Sequence, residues 1–197
     1  LDGDLAAIAK SSGPGAAKTA RACLSGMFAM AIRDGAAAVI AAGERRAEEI
    51  GAGGPEVLDS RSRMYPDSLD TMGWKVGPTG LQLILSPNLP ELIDRYLADD
   101  MSGFLGDHGL SVGDIAAWVS HPGGPKVIET ITAALGLPDD ALELTWRSLA
   151  EVGNLSSSSV LHVLRDTRAK KPPAGHPGLL MAMGPGFCSE LVLLRWR

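Results

Sequence analysis

The chain runs apolar from Ile115 to Val119 and then turns abruptly to Ser120-His121-Pro122-Gly123-Gly124-Pro125. A short apolar run with β-branched residues, closed by Pro and Gly, predicts a buried strand with His121 at its end. From Lys126 onward, Val127, Ile128, Ile131, Ala134 and Leu135 recur at helical spacing, and Gly136 with Pro138 ends the pattern. Strand, His-bearing turn and helix form the unit in which open α/β folds hold side chains rigidly at a crevice.

Downstream, Gly153 breaks an amphipathic segment. Asn154 is a good cap for a following helix, with Leu155, Val160, Leu161 and Leu164 along one face. Ser156 to Ser159 open that helix, where hydroxyls satisfy free backbone N–H groups. Upstream, Leu89, Leu92, Ile93, Tyr96 and Leu97, with Pro90 in the first turn, predict a helix reaching about Leu105. Asp94, Asp99 and Asp100 point around that helix instead of converging on a cation, and read as a solvated face. Pro55 to Met64 and Gly73 to Leu85 are extended. Gly77-Pro78-Thr79-Gly80 turns Trp74-Lys75-Val76 back on Leu81–Leu85 as an antiparallel ribbon. Pro177–Met183 and Cys188–Trp196 read as closing strands around Gly184-Pro185-Gly186. Ala42–Gly54 reads as an exposed turn or short helix.

Composition narrows the class. A chain of 197 residues, 45% hydrophobic, supports one domain with its own core, and the absence of an 18-residue apolar run argues against a membrane span. The net charge of −5 and the lack of a basic cluster interleaved with aromatics argue against nucleic acid as a partner. Cys23 and Cys188 have no metal-ligand spacing and no secretory leader precedes them, so a reducing cytoplasm is the expected setting, with no metal and no cofactor. His108, His162 and His176 likewise lack partners at metal spacing and read as surface or packing residues. The first residue is Leu, and the abrupt start is expected of a fragment or a processed chain. Near it, Ser11-Ser12-Gly13-Pro14-Gly15 lacks the Lys-Ser/Thr ending of a phosphate loop and reads as a turn. Ala20–Ile32 reads as a helix with Cys23, Met27 and Met30 on one side.

Three strings occur in order: His121-Pro122-Gly123-Gly124-Pro125, Gly153-Asn154-Leu155-Ser156-Ser157-Ser158-Ser159 and Met183-Gly184-Pro185-Gly186-Phe187. They closely resemble the C-terminal signatures of type III polyketide synthases, the chalcone/stilbene synthase-like condensing enzymes, and the interval from His121 to Asn154 matches too. Arg33-Asp34-Gly35-Ala36-Ala37-Ala38-Val39-Ile40 resembles a small-residue strand of the same family, with Arg33 where Gly is usual. The resemblance implies an α/β, thiolase-like fold, as the C-terminal half of the duplicated αβαβα arrangement with a mixed sheet packed by helices. It covers residues 34–197 and leaves 1–33 atypical or truncated. Cys23 lies too close to Asp34 to stand for the family's nucleophile.

The implied chemistry is decarboxylative condensation of malonyl-coenzyme A with an acyl-coenzyme A starter. Such a reaction needs donors near a thioester oxygen as the enolate forms. His121 and Asn154 are the implied catalytic pair, offering neutral or near-neutral donors too weakly acidic to quench the carbanion. Leu83 is implied to replace an aromatic gate. Gly123, Gly124, Gly184, Pro185, Gly186 and Phe187 are implied to border the substrate cavity, while Lys126 is the safer as an exposed first-turn residue. The chain is expected to lack the half that bears the nucleophile and to condense nothing alone. It is expected to associate, as a homodimer or with a complete synthase, because half a fold exposes surfaces the other half covers. Two alternatives stand beside this reading: a non-catalytic partner subunit, and a ketoacyl carrier-protein synthase III-like enzyme.

Overall fold

Alternation along Cys188–Arg195 places Leu191 and Leu193 on one side of a strand and Leu194 on the other, and that period of two divides the whole core. The computed structural model describes residues 33–197 apart from position 79. Four strands, β1 (Glu56–Met64), β4 (Ala117–Ser120), β5 (Pro177–Gly184) and β6 (Cys188–Arg195), form a mixed sheet in the order β1-β6-β5-β4. β4 runs parallel to β5, while the β5–β6 and β6–β1 pairs are antiparallel. A separate antiparallel ribbon joins β2 (Met72–Gly77) to β3 (Gly80–Leu85).

Helices α2 (Leu89–Gly106) and α3 (Pro125–Leu135) cover one sheet face. There Ile93, Leu97 and Phe104 of α2 and Ile128 and Ile131 of α3 meet Trp118, Leu179, Met181 and Leu193. The opposite face carries α4 (Glu143–Val152) and α5 (Ser159–Ala169), with Val119, Leu144, Val163, Leu194 and Trp196 packed together. Trp118 and Val119 are neighbours that serve opposite cores. A short exposed helix, α1 (Glu44–Glu49), precedes β1.

The helix predicted to reach Leu105, the ribbon, the closing strands and the helix stop at Gly136, which adopts φ 59°, all stand where the pattern puts them. Four features differ. The strand expected at Ile115 begins at Ala117, because Val112–Asp114 winds into a single 3₁₀ turn closed by reciprocal Ser111 and Asp114 hydrogen bonds. Residues 33–42 are exposed and form no strand, since no β-strand pairs with them among the described residues. Asp100 is buried at 5% exposure: it accepts a 2.6 Å bond from the Tyr65 hydroxyl and pairs with Arg63, so it belongs to a hydrogen-bonded network and not to a solvated face. The most buried face of α5 is Ser159, His162, Val163 and Thr167, with Val160, Leu161 and Leu164 only half-buried beside it, because a 3₁₀ turn over Ser156–Ser158 resets the helix phase.

The expectations for Ser11–Gly15, the Ala20–Ile32 helix and Cys23 lie outside the described residues. Among the described histidines, His108 bonds Asp59 at 2.9 Å, His162 approaches the Ala36 carbonyl at 3.3 Å and His176 is exposed. No described helix is long and apolar enough to cross a membrane.

Candidate functional site

His121 is the first residue past β4. Its backbone N–H donates to the Met181 carbonyl at 2.9 Å, which continues the parallel ladder by one step, and its carbonyl accepts from Gly123 N–H at 2.9 Å. The strand therefore fixes the Cα of His121, and the tight turn carries the chain away at once through buried Pro122, Gly123 and Gly124. Pro125 then opens α3, with the Gly124 carbonyl accepting from Ile128 at 3.0 Å. Burial holds the His121 imidazole neutral, with its pKa pushed down to about 4. Neither ring nitrogen has a hydrogen-bond partner among the described residues, which leaves a neutral N–H free to donate.

Asn154 reaches the same place from the other side of the sheet's end. Gly153 takes φ 77° and ends α4, a conformation that a side chain would strain. Asn154 follows at 4% exposure. Its Oδ1 accepts from Ser156 N–H at 2.8 Å, and its Nδ2 donates to the Gly123 carbonyl at 3.2 Å. The asparagine thus holds an Asx turn ahead of a helix that starts five residues later, and does not cap its first turn directly. These two bonds also orient the amide: the oxygen is committed to the backbone, and one of the two amide N–H bonds remains free. The Asn154 loop is strapped from outside by Arg33, whose N–H donates to the Asn154 carbonyl at 2.7 Å, and by Gly35, which packs against Leu155.

His121, Gly123 and Asn154 share the wall of one cavity with Ser120, Met181 and Leu85. This cavity is a partly open cleft whose water-accessible volume is about 30 Å³, room for a water or two at its base. The pair and one of the glycines therefore converge. The other expected cavity residues do not line it. Leu83 lies two residues from Leu85 on β3 and remains 36% exposed on the ribbon. Gly184 ends β5, Pro185 and Gly186 lie in the β5–β6 turn, and Phe187 is wholly buried, stacked on Tyr65 with ring centroids 5.3 Å apart. Gly186, at φ 106°, donates its N–H to the Met72 carbonyl at 2.7 Å, so this turn fastens the base of the ribbon, and Met72 in turn lines the cavity. Lys126 is exposed near Glu129.

Sequence reasoning missed most of the apolar wall: Met72, Leu89, Ile93, Met181 and Met183. Period two along β5 puts Met181 and Met183 on one face, but only the pairing of Ser120 with Met181 brings that face to His121. Cys188, the single free cysteine among the described residues, is outside this wall, and burial followed by the charge of Glu190 pushes its thiol pKa up. That is the wrong direction for a nucleophile.

Comparison with known proteins places this arrangement. Residues 56–196 match the family described as chalcone and stilbene synthases, C-terminal domain. A 1,3,6,8-tetrahydroxynaphthalene synthase of Streptomyces peucetius subsp. caesius is 49% identical over 164 residues, covering 83% of this chain and 43% of that one. An alpha-pyrone synthesis polyketide synthase-like protein of Mycobacterium tuberculosis is 33% identical over 162 residues, covering 81% of this chain and 41% of its own length. The crystal structure of the tetrahydroxynaphthalene synthase of Streptomyces coelicolor A3(2), a bacterial type III polyketide synthase, superposes with a TM-score of 0.70 at 27% identity, covering 74% of this chain and 42% of that one. The chain spans less than half the length of each of these relatives.

Proposed function

This chain belongs to the chalcone and stilbene synthase family, the type III polyketide synthases, and carries the C-terminal part of their thiolase-like fold; from that premise we propose that His121 and Asn154 are the donor pair of a decarboxylative condensing site. The substrates of that site are malonyl-coenzyme A and an acyl-coenzyme A starter. As malonyl-thioester loses carbon dioxide, negative charge builds on the thioester oxygen, and two fixed neutral N–H donors stabilise it without desolvation or reorganisation at that moment. The observation that carries this reading is the convergence of His121 and Asn154, from separate elements, on one small cleft.

The local electrostatics suit the role. A neutral imidazole donates but does not readily protonate a carbanion, and the Asn154 amide has no acidic proton to lose at neutral pH. The same neutrality bears on the nucleophile. With burial alone acting, His121 is not an imidazolium at neutral pH, so it stabilises a cysteine thiolate only once the thiolate's own charge lifts the imidazole pKa. That cysteine and most of the coenzyme A contacts are expected in the half of the family fold outside residues 34–197. We assign residues 34–197 to the synthase C-terminal region and residues 1–33 to an atypical segment ahead of it.

Association follows from the same division. Trp74, Val76, Leu81 and Leu83 are exposed on one face of the ribbon, with Met72 and Leu85 of that face at the cavity. The expected partners are a second copy or a complete synthase.

Malonyl-coenzyme A decarboxylation by the purified chain tests the assignment. Carbon dioxide release should fall by about 100-fold in His121→Ala and in Asn154→Ala, the loss typical of one oxyanion donor. Release that is equal in wild type and both variants removes the donor pair from the chemistry. The absence of release from all three would leave the chain either a fragment that needs its other half or a non-catalytic partner subunit.

A further inference from the structure

Ser120 closes β4 and is 1% exposed, yet its Oγ has no hydrogen-bond partner among the described residues. Its backbone is occupied elsewhere, the carbonyl accepting from Thr145 Oγ1 at 3.2 Å on the α4 side. Its side chain shares the strand face of Trp118, opposite Val119, and so lies on the face that carries the cavity. Ser120 lines that cavity next to His121, and its register partner Met181 is in the same wall. Among the described residues two other buried polar groups lack partners, Ser148 Oγ and Trp196 Nε1, and neither lines this cavity.

A buried hydroxyl without a partner destabilises the folded chain, and alanine at the same strand position avoids that cost with almost the same volume. A ligand oxygen entering the cleft, in the place a water can take, would supply the partner the hydroxyl lacks. The base of the cleft has room for an atom or two the size of a water oxygen. The neighbouring donors set the chemistry of the ligand atom, because the free N–H groups of His121 and Asn154 select an acceptor.

We propose that the Ser120 hydroxyl is a third donor to the carbonyl oxygen of a bound acyl or malonyl thioester. The inference rests on the assignment of His121 and Asn154 to that oxygen. The hydroxyl rotates about its Cβ–Oγ bond to meet the acceptor, makes and breaks no covalent bond, and is far too weak an acid to quench an enolate. Its contribution is to fix which way the carbonyl points.

The probe is acetyl-coenzyme A labelled with ¹³C at the carbonyl, titrated against the wild-type chain, Ser120→Ala and Asn154→Ala. In the wild type the bound carbonyl resonance should move downfield. In Ser120→Ala the displacement should shrink while affinity changes by no more than about threefold, and the thermal midpoint should rise by a few degrees because the unpaired hydroxyl is gone. An unchanged displacement in Ser120→Ala with a loss in Asn154→Ala overturns the role of Ser120 and leaves the donor pair standing. A lowered midpoint in Ser120→Ala also overturns it, making the serine a packing residue. A wild-type chain saturated with the thioester whose carbonyl resonance does not move overturns both.

Discussion

Two apolar regions of this molecule meet at the cavity and differ in almost everything else. At the sheet end, Ser120 to Gly124 and Asn154 are buried or nearly so, clamped by β5 on one side and by the α4–α5 connection on the other. On the ribbon, Met72, Trp74, Val76, Leu81, Leu83 and Leu85 occupy one face, since each cross-strand pair shares a side. That face is covered only at its base: Met72 is half-buried, whereas Val76 is 81% exposed at the tip. Composition does not separate the regions. What separates them is the number of elements that cross each one, and a two-stranded ribbon has nothing of its own to lay over its apolar side.

The contrast yields predictions of decreasing size. The largest is acid sensitivity at the enclosed end. The His121 pKa is lowered from 6.5 to about 4, so the unfolded chain takes up a proton near pH 6.5 that the folded chain resists until about pH 4. Stability from this group is complete above pH 6.5 and lost as pH falls towards 4, up to about 3 kcal/mol. Urea titrations across that window should show a steeper decline for wild type than for His121→Gln, and equal slopes would assign the decline to other groups.

Next comes Asn154→Ala, which removes the partners of the Ser156 N–H and of the buried Gly123 carbonyl. Denaturant unfolding should show a loss of about 2 kcal/mol. A loss below about 0.5 kcal/mol would mean that water replaces both bonds.

Gly35→Ala tests the strap over the same loop. Its new Cβ would lie 2.8 Å from the Leu155 Cβ, so the strap or Leu155 must shift, at about 1–2 kcal/mol. A thermal scan that finds the variant unchanged would show that residues 33–36 are not held against Leu155.

The smallest effect on stability belongs to the ribbon tip. Trp74→Lys with Leu81→Lys should change unfolding by less than about 0.5 kcal/mol, since both side chains already face water. Sedimentation should nevertheless shift towards the monomer. Unaltered association would move the interface elsewhere, with the exposed edge strand β1 next in line.

How much of this was legible beforehand follows the same division. The β4–His121–α3 unit was readable because strand, turn and helix are adjacent in the chain and each is announced by local chemistry: β-branched residues, Pro and Gly, then helical period. The ribbon and the β5–β6 hairpin were readable for the same reason, as antiparallel neighbours joined by a Gly-containing turn. His121 and Asn154 were nameable from motif order. Asp100 was misread because three acidic residues on a helix look alike until Tyr65 and Arg63, far upstream, arrive to pair with one of them. The 34–40 segment was misread because small residues permit a strand but cannot supply the neighbour that would pair with it.

By itself the sequence determined the elements, since helical and strand periods, caps and turns act over a few residues, and the order of its motifs singled out His121 and Asn154. Only the tertiary structure decided which strands lie side by side, that Ser120 and Met181 meet at the cavity, and which apolar face stays bare. Those outcomes depend on contacts between segments far apart in the chain, where burial is set by what packs across a residue and not by its neighbours in sequence.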